Sequence, residues 1–202
     1  MLTRFAGFFV GSVFGLAFVL INSGPPLPPA VSAVTRTLAV GAAVAIVVLV
    51  LLAVRKESRE SAEEPEASPG PASTPQFGAF FGVVTLVEVA LIIGGAQVIS
   101  RLDGIPDQAG VAWVALVVGL HFFPLAWYWK QPEMLYVAGY GTVLGGVGLL
   151  MALSGYPDWV PLVSGVVTGA GMLLGLLTGL LLMRRGTGEP AGRQSGSSPS
   201  PK

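Results

Sequence analysis

Residues 37–54 read TLAVGAAVAIVVLVLLAV, a stretch without one charged side chain. Its second half, 44–53 (VAIVVLVLLA), is apolar on every side, whether read at the period of a helix or of a strand. A strand of a membrane barrel would alternate apolar and polar residues, and this stretch does not. A helix satisfies every backbone N–H and C=O within itself, as hydrocarbon requires. About 20 apolar residues carry such a helix across a core roughly 30 Å thick. The stretch therefore reads as a transmembrane helix.

Five more stretches have the same character, at about 5–22, 77–99, 111–129, 134–153 and 160–183. The expected fold is an all-α polytopic bundle of six transmembrane helices over 1–183, followed by a tail, 184–202. Composition points the same way. The chain has 202 residues, 52% hydrophobic and 11% charged, whereas a soluble domain carries roughly 25% charged residues. Water alone could not solvate such a surface, so the lipid bilayer is the first expected partner. The formal net charge is zero, which gives no field that would gather nucleic acid. Cysteine is absent, which removes disulfides, thiolate metal ligands and a cysteine nucleophile together.

Basic residues orient the bundle. Arg4, Arg55, Lys56, Arg59, Lys130, Arg184, Arg185, Arg193 and Lys202 fall on one side of a six-span arrangement, and only Arg36 and Arg101 on the other. Both termini are therefore expected in the cytoplasm, with the chain in the cell (plasma) membrane. Trp113, Trp127, Trp129 and Trp159 all lie near expected span ends, at the headgroup level that amphipathic rings prefer. A cleaved signal peptide is the rival reading of the first span, with Val31-Ser32-Ala33 as the processing site. The apolar run is longer than such peptides use, and Pro25, Pro26, Pro28 and Pro29 separate it from that site. A retained span is preferred.

The segment 55–76 is rich in Glu, Ser, Pro and Ala, too poor in apolar surface to offset its ordering entropy, and is expected to be a disordered acidic cytoplasmic loop. The Gly-, Ser- and Pro-rich tail reads alike, and the prolines of 22–33 predict a stiff, extended outer loop. Phe5/Phe8/Phe9 and Phe77/Phe80/Phe81 share a Phe-x-x-Phe-Phe spacing, which would suit a repeat of helix hairpins. In Phe-rich membrane sequence such a match is ascribed to chance.

Glycine spacing carries the packing signal. Gly7, Gly11 and Gly15 lie four apart in the first span, Gly141 and Gly145 in the fifth, and Gly171, Gly175 and Gly179 in the sixth. Four residues is just over a helical turn, so each set forms a groove that another backbone can enter. The groove serves either packing within the chain or an interface with a membrane-protein partner or a second copy.

Polar residues inside the spans are few. Glu88 is the one acidic residue within a span, near the middle of the third, and His121 is the one histidine, near the middle of the fourth. A charge at that depth costs on the order of 2.5–3.5 kcal/mol. Because consecutive spans run antiparallel, the two residues fall at similar depth and can meet. Thr85 precedes Glu88 by a turn and Gly95 follows it by two, completing a small polar stripe. Such a group reads either as a proton or ion site or as polar glue fixing helix register. Pro124 lies one turn past His121, removes the hydrogen bond to the Leu120 carbonyl and predicts a kink. Arg36 is expected to snorkel to the headgroups.

The stretch 119–126, GLHFFPLA, with the aromatics and Pro132 that follow, resembles a segment of small multi-pass integral membrane proteins of bacteria. The excess of Arg over Lys and the abundance of Ala, Gly, Val and Pro look actinobacterial. The resemblance implies a membrane location and no activity. Enzyme chemistry finds no support. A rhomboid-type serine protease uses Gly-x-Ser-Gly followed later by a His, but Ser154-Gly155 and Ser164-Gly165 are preceded by Ala152 and Leu162, and both follow His121. Asp103, Asp107 and Asp158 lie in outer loops, away from any intramembrane aspartyl site. One His without Cys does not supply a zinc set, and no nucleotide-binding glycine loop is present. No catalytic residue, metal or cofactor is expected. Two functions stay open: a non-catalytic membrane accessory or interaction protein, and a small transporter or channel using Glu88 and His121.

Overall fold

The computed structural model describes residues 2–63, 78–130, 132 and 134–186. Among them are six α-helices and no strand: α1 (Leu2–Asn22), α2 (Pro29–Glu63), α3 (Ala79–Ile99), α4 (Ala109–Trp129), α5 (Met134–Leu153) and α6 (Thr168–Gly186). A 3₁₀ turn (Pro157–Trp159) and a π-helical segment (Pro161–Val167) lead into α6. Five helical stretches are long and apolar enough to cross a membrane: 29–56, 79–99, 109–129, 134–153 and 157–184. Within α1, Gly7–Asn22 makes a shorter apolar helix.

Several boundaries differ from the sequence expectation. Pro29 opens α2, where its fixed φ suits the first turn and its missing N–H would have had no helical partner. The linker between α1 and α2 is thus confined to 23–28, and Val31, Ser32 and Ala33 are helical. At its other end α2 continues through Glu63, so 55–63 is helix and not disordered loop. Arg55, Lys56 and Arg59 alternate there with acidic residues, and such a mixture favours helix while the apolar run behind supplies the nucleus. The rest of the expected acidic loop, 64–76, with Phe77, and the tail from 187 onward lie outside the described residues.

Two helical groups make up the body. In the first, α1, α2 and α6 pack mutually around Val19, Ala39, Ala43, Ile46, Val50, Leu173 and Leu180. Phe8, Phe9 and Leu16 of α1 lie against this core. In the second, α4 and α5 form the tightest helix pair of the molecule, and α3 lies along α4. The π-helical segment touches α1, α4, α5 and α6, and so joins the groups. Gly165 there faces Asn22 of α1, and Ser164 donates a hydrogen bond to the Leu144 carbonyl of α5 at 2.8 Å.

Close backbone approach fixes the α4–α5 pair. A Cβ on Gly119 would fall on the backbone of Gly141 and Thr142, and one on Gly145 would fall on that of Leu116. Gly148 admits Ser164 and Ala112 in the same seam. In hydrocarbon such contact replaces the hydrophobic drive of soluble folding. Gly11 and Gly15 of α1 face Leu176 and Leu173 of α6, while Gly169 of α6 lies on the Gly15 carbonyl. Gly171 faces Tyr140. Gly7, Gly175 and Gly179 have nothing within 4 Å of a Cβ built on them. The groove expected along Gly171, Gly175 and Gly179 is therefore filled within the chain only at Gly171, and that along α1 only at Gly11 and Gly15.

Candidate functional site in the seam between α3 and α4

Helix α3 has no fully buried residue. Its less exposed positions, Phe81, Val84, Thr85, Glu88, Ile92, Gly95 and Ile99, recur at helical spacing and form one stripe. That stripe lies on α4, the helix α3 packs on most. The remaining faces are apolar and open, with Val83, Leu86 and Ile93 each more than half exposed.

Three sets of contacts hold the seam. Near the start of α3, Phe80 stacks on Tyr128 with centroids 4.2 Å apart, and Phe81 on Trp129 at 6.0 Å. Toward its end, the Trp113 indole enters the space left by Gly95 and donates Nε1–H to the Leu91 carbonyl at 2.9 Å. Trp113 and Trp129 thus serve helix contact, although sequence placed all four tryptophans at headgroup level; Trp127 and Trp159 are the exposed ones, at 81% and 49%.

Between these anchors Glu88 meets His121. Glu88 Oε2 lies 3.1 Å from His121 Nδ1, with the side chains 12% and 9% exposed. The separation is that of an ion pair or hydrogen bond, yet the ring nitrogen lacks the alignment of a hydrogen bond. Phe122 meets the imidazole edge-on at 5.4 Å. Thr85, one turn before Glu88, has a buried hydroxyl oxygen without a hydrogen-bond partner. Pro124 sits inside α4, which continues as helix on both sides of it.

Chemically, the seam offers one carboxyl, one imidazole, the unpaired Thr85 hydroxyl and Trp129 Nε1, and the Trp113 indole bond, set among apolar side chains. Among the described residues no group of three or more His, Cys, Asp or Glu side chains converges as a metal site would require. The arrangement can hold and pass a proton between two heavy atoms, since 3.1 Å is within the range for such transfer.

A second polar cluster, which sequence reasoning missed, surrounds the π-helical segment. Tyr140 donates its hydroxyl to the Val167 carbonyl at 2.6 Å, and the buried Thr168 hydroxyl has no partner. A crevice beside them, lined by Val118, Gly119, Phe122, Tyr140, Thr168 and Met172 among others, holds about 10 Å³, room for about one water. The signal available was Pro161 followed by Ser164-Gly165, polar and helix-weakening residues in an apolar span. At the C-terminal end of α1, Arg36 donates to the Ser23 carbonyl at 2.7 Å. It acts there as a cap on a helix C-terminus, a role more specific than snorkelling.

Comparison of the chain with protein families, with characterised proteins and with solved structures found no match.

Proposed function

We propose that this chain is a six-span protein of the bacterial plasma membrane, with both termini cytoplasmic, and that it acts without catalysis as an accessory or interaction partner of other membrane proteins or of its own copies. The observation carrying this reading is the close seam between α4 and α5. Backbones meet directly at Gly119, Gly141 and Gly145, and the crevice beside Thr168 has the volume of about one water. A transport path needs a succession of lining donors and acceptors. Nine of the eleven basic residues lie on one side of the six-span arrangement, which supports the topology.

The Glu88–His121 contact favours the second reading, a small transporter or channel with a proton or ion site. Reconstitution separates the two. Liposomes carrying the full chain and an internal pH dye should dissipate a proton gradient no faster than protein-free liposomes. Proton flux that disappears in Glu88→Gln would establish the transporter instead. Association is tested with Gly175→Leu, because that position is open and the change leaves the internal packing alone. Gly11 is unsuited to this purpose, since it faces Leu176 within the same chain. Cross-linking in native membranes should trap the parent in a complex that Gly175→Leu loses. A parent chain that stays monomeric there would overturn the accessory reading.

A further inference from the structure

We infer that Glu88, His121 and Thr85 form a proton-binding site within the bilayer, set one side chain beneath the lipid-facing surface of α3. The inference rests on the membrane-embedded reading proposed above, but not on the accessory role.

Geometry carries it. The carboxyl and imidazole approach to 3.1 Å, and each keeps only about a tenth of its surface exposed. With one proton between them the pair is neutral overall, whether written as acid and neutral imidazole or as carboxylate and imidazolium. Without that proton it carries a net negative charge in an apolar seam, where a charge costs on the order of 2.5–3.5 kcal/mol. The pair therefore holds one proton in common and titrates as a unit. Glu88 is the one titratable residue on α3, and α4 adds only His121 and Tyr128. Tyr128 is occupied against Phe80 at the other end of the seam. Arg101, Asp103, Asp107 and Lys130 lie beyond the ends of both helices. Among the described residues of α3 and α4, no further charge therefore fixes the proton on one partner. The Thr85 hydroxyl, buried and unpaired beside them, is a third group able to accept or relay it. Access comes from the side. Val87, Leu91 and Leu120, neighbours of the pair in the chain, are 51%, 47% and 47% exposed, so the pair lies one side chain beneath the outer surface of the bundle.

A lipid-soluble carbodiimide, dicyclohexylcarbodiimide, reads this directly. It reacts with a protonated carboxyl. The acid O–H adds across one C=N bond, the proton passing to nitrogen and the oxygen to the central carbon. The O-acylisourea then rearranges to a stable N-acylurea, and nothing leaves. Full-length chain in liposomes, first shown by flotation to be inserted, is treated across about pH 5 to 8, the range in which an imidazole ordinarily changes charge. We expect one adduct in the span, on Glu88 and absent from Glu88→Gln, forming about tenfold faster or more at the acid end of that range. A water-soluble carbodiimide should leave Glu88 unmodified. His121→Gln, which removes the second proton holder, should shift the pH profile, whereas a merely structural histidine would leave it in place. The parent profile decides the matter even if that variant fails to fold. An adduct that forms only after unfolding in SDS, a rate independent of pH, or modification by the water-soluble reagent would overturn the site. A chain that does not float with liposomes would overturn the membrane reading and the site with it.

Discussion

Two glycines with the same sequence context separate packing from pattern. Gly145 belongs to a four-residue glycine spacing in α5, and Gly175 to the same spacing in α6. A methyl group at 145 would fall on the main chain of Leu116, which cannot rotate away, so α4 and α5 must separate. Overpacking costs about 1–3 kcal/mol in general, and contact with backbone places this case at the upper end. Alanine returns about 1 kcal/mol through helix propensity. The net expectation for Gly145→Ala is a loss of about 2 kcal/mol. At Gly175 nothing lies within 4 Å, so only the propensity remains, and Gly175→Ala should be neutral or up to about 1 kcal/mol more stable. The assay is reversible unfolding of each purified chain by SDS in mixed micelles, followed by tryptophan fluorescence, to which Trp113 and Trp129 in the α3–α4 seam contribute. If Gly145→Ala stays within about 0.5 kcal/mol of the parent, backbone contact is not what holds α4 to α5. Equal destabilisation by both variants would refute the distinction between filled and open grooves.

Other expectations follow from single contacts. The natural absence of cysteine makes the chain its own background for topology mapping: one Cys at Ser68 or Ser198 should react with an impermeant maleimide only after the inner face is opened, and one at Asp103 or Asp158 from outside. Labelling of position 68 on intact cells would reverse the orientation. Tyr140→Phe removes the hydrogen bond to the Val167 carbonyl and should lower stability by about 1 kcal/mol, read in the same SDS titration; no change would mean that the π-helical segment does not depend on it. Trp113→Phe loses the bond to the Leu91 carbonyl and part of the filling beside Gly95, so α3 amides should exchange hydrogen faster while those of α1 and α2 do not. Arg36→Gln removes the guanidinium from the Ser23 carbonyl and should speed exchange around the α1–α2 linker alone.

How far the sequence carried the fold depends on which physical rule was at work. Hydrocarbon admits helices and little else, so length and polarity were enough to place the apolar segments, although the second helix opens at Pro29, eight residues before the expected start at 37. Equal depth in an antiparallel hairpin made a Glu88–His121 contact possible, because consecutive spans share a turn and a fixed rise per residue, and the 3.1 Å approach is what the structure adds. Glycine spacing showed that α1, α5 and α6 have small faces but not which neighbour fills them. Gly119 and Gly148 fall outside the four-residue spacings, while Gly165 and Gly169, themselves four apart, lie at the entry to α6; all four are at close contacts. The π-helical segment had no periodic signature at all. Its geometry answers to tertiary partners, Leu144 taking the Ser164 hydroxyl and Val167 taking that of Tyr140. Charged residues misled at the end of α2, where an acidic and basic mixture suggested disorder beyond Val54 and the helix instead runs to Glu63.

The contacts of α4 explain why the titratable pair lies where it does. Ala115, Leu116 and Gly119 of this helix meet the α5 backbone, while Trp113, His121, Tyr128 and Trp129 meet α3. One side is bound through main chain, at distances that tolerate no added methyl group. The other is bound through large side chains, two aromatic stacks, the Trp113 hydrogen bond and the Glu88–His121 contact, each of which can part by rotation. Going forward along α3 from Phe80 through Glu88 to Leu91, the partners step backward along α4 from Tyr128 through His121 to Trp113, so the contacts share a single antiparallel register. A change in the Glu88–His121 member therefore acts on a joint already set at both ends. If the proton shared by Glu88 and His121 has a consequence beyond its own binding, it is the spacing of α3 against α4 that would change, and α5 would stay where its glycines hold it.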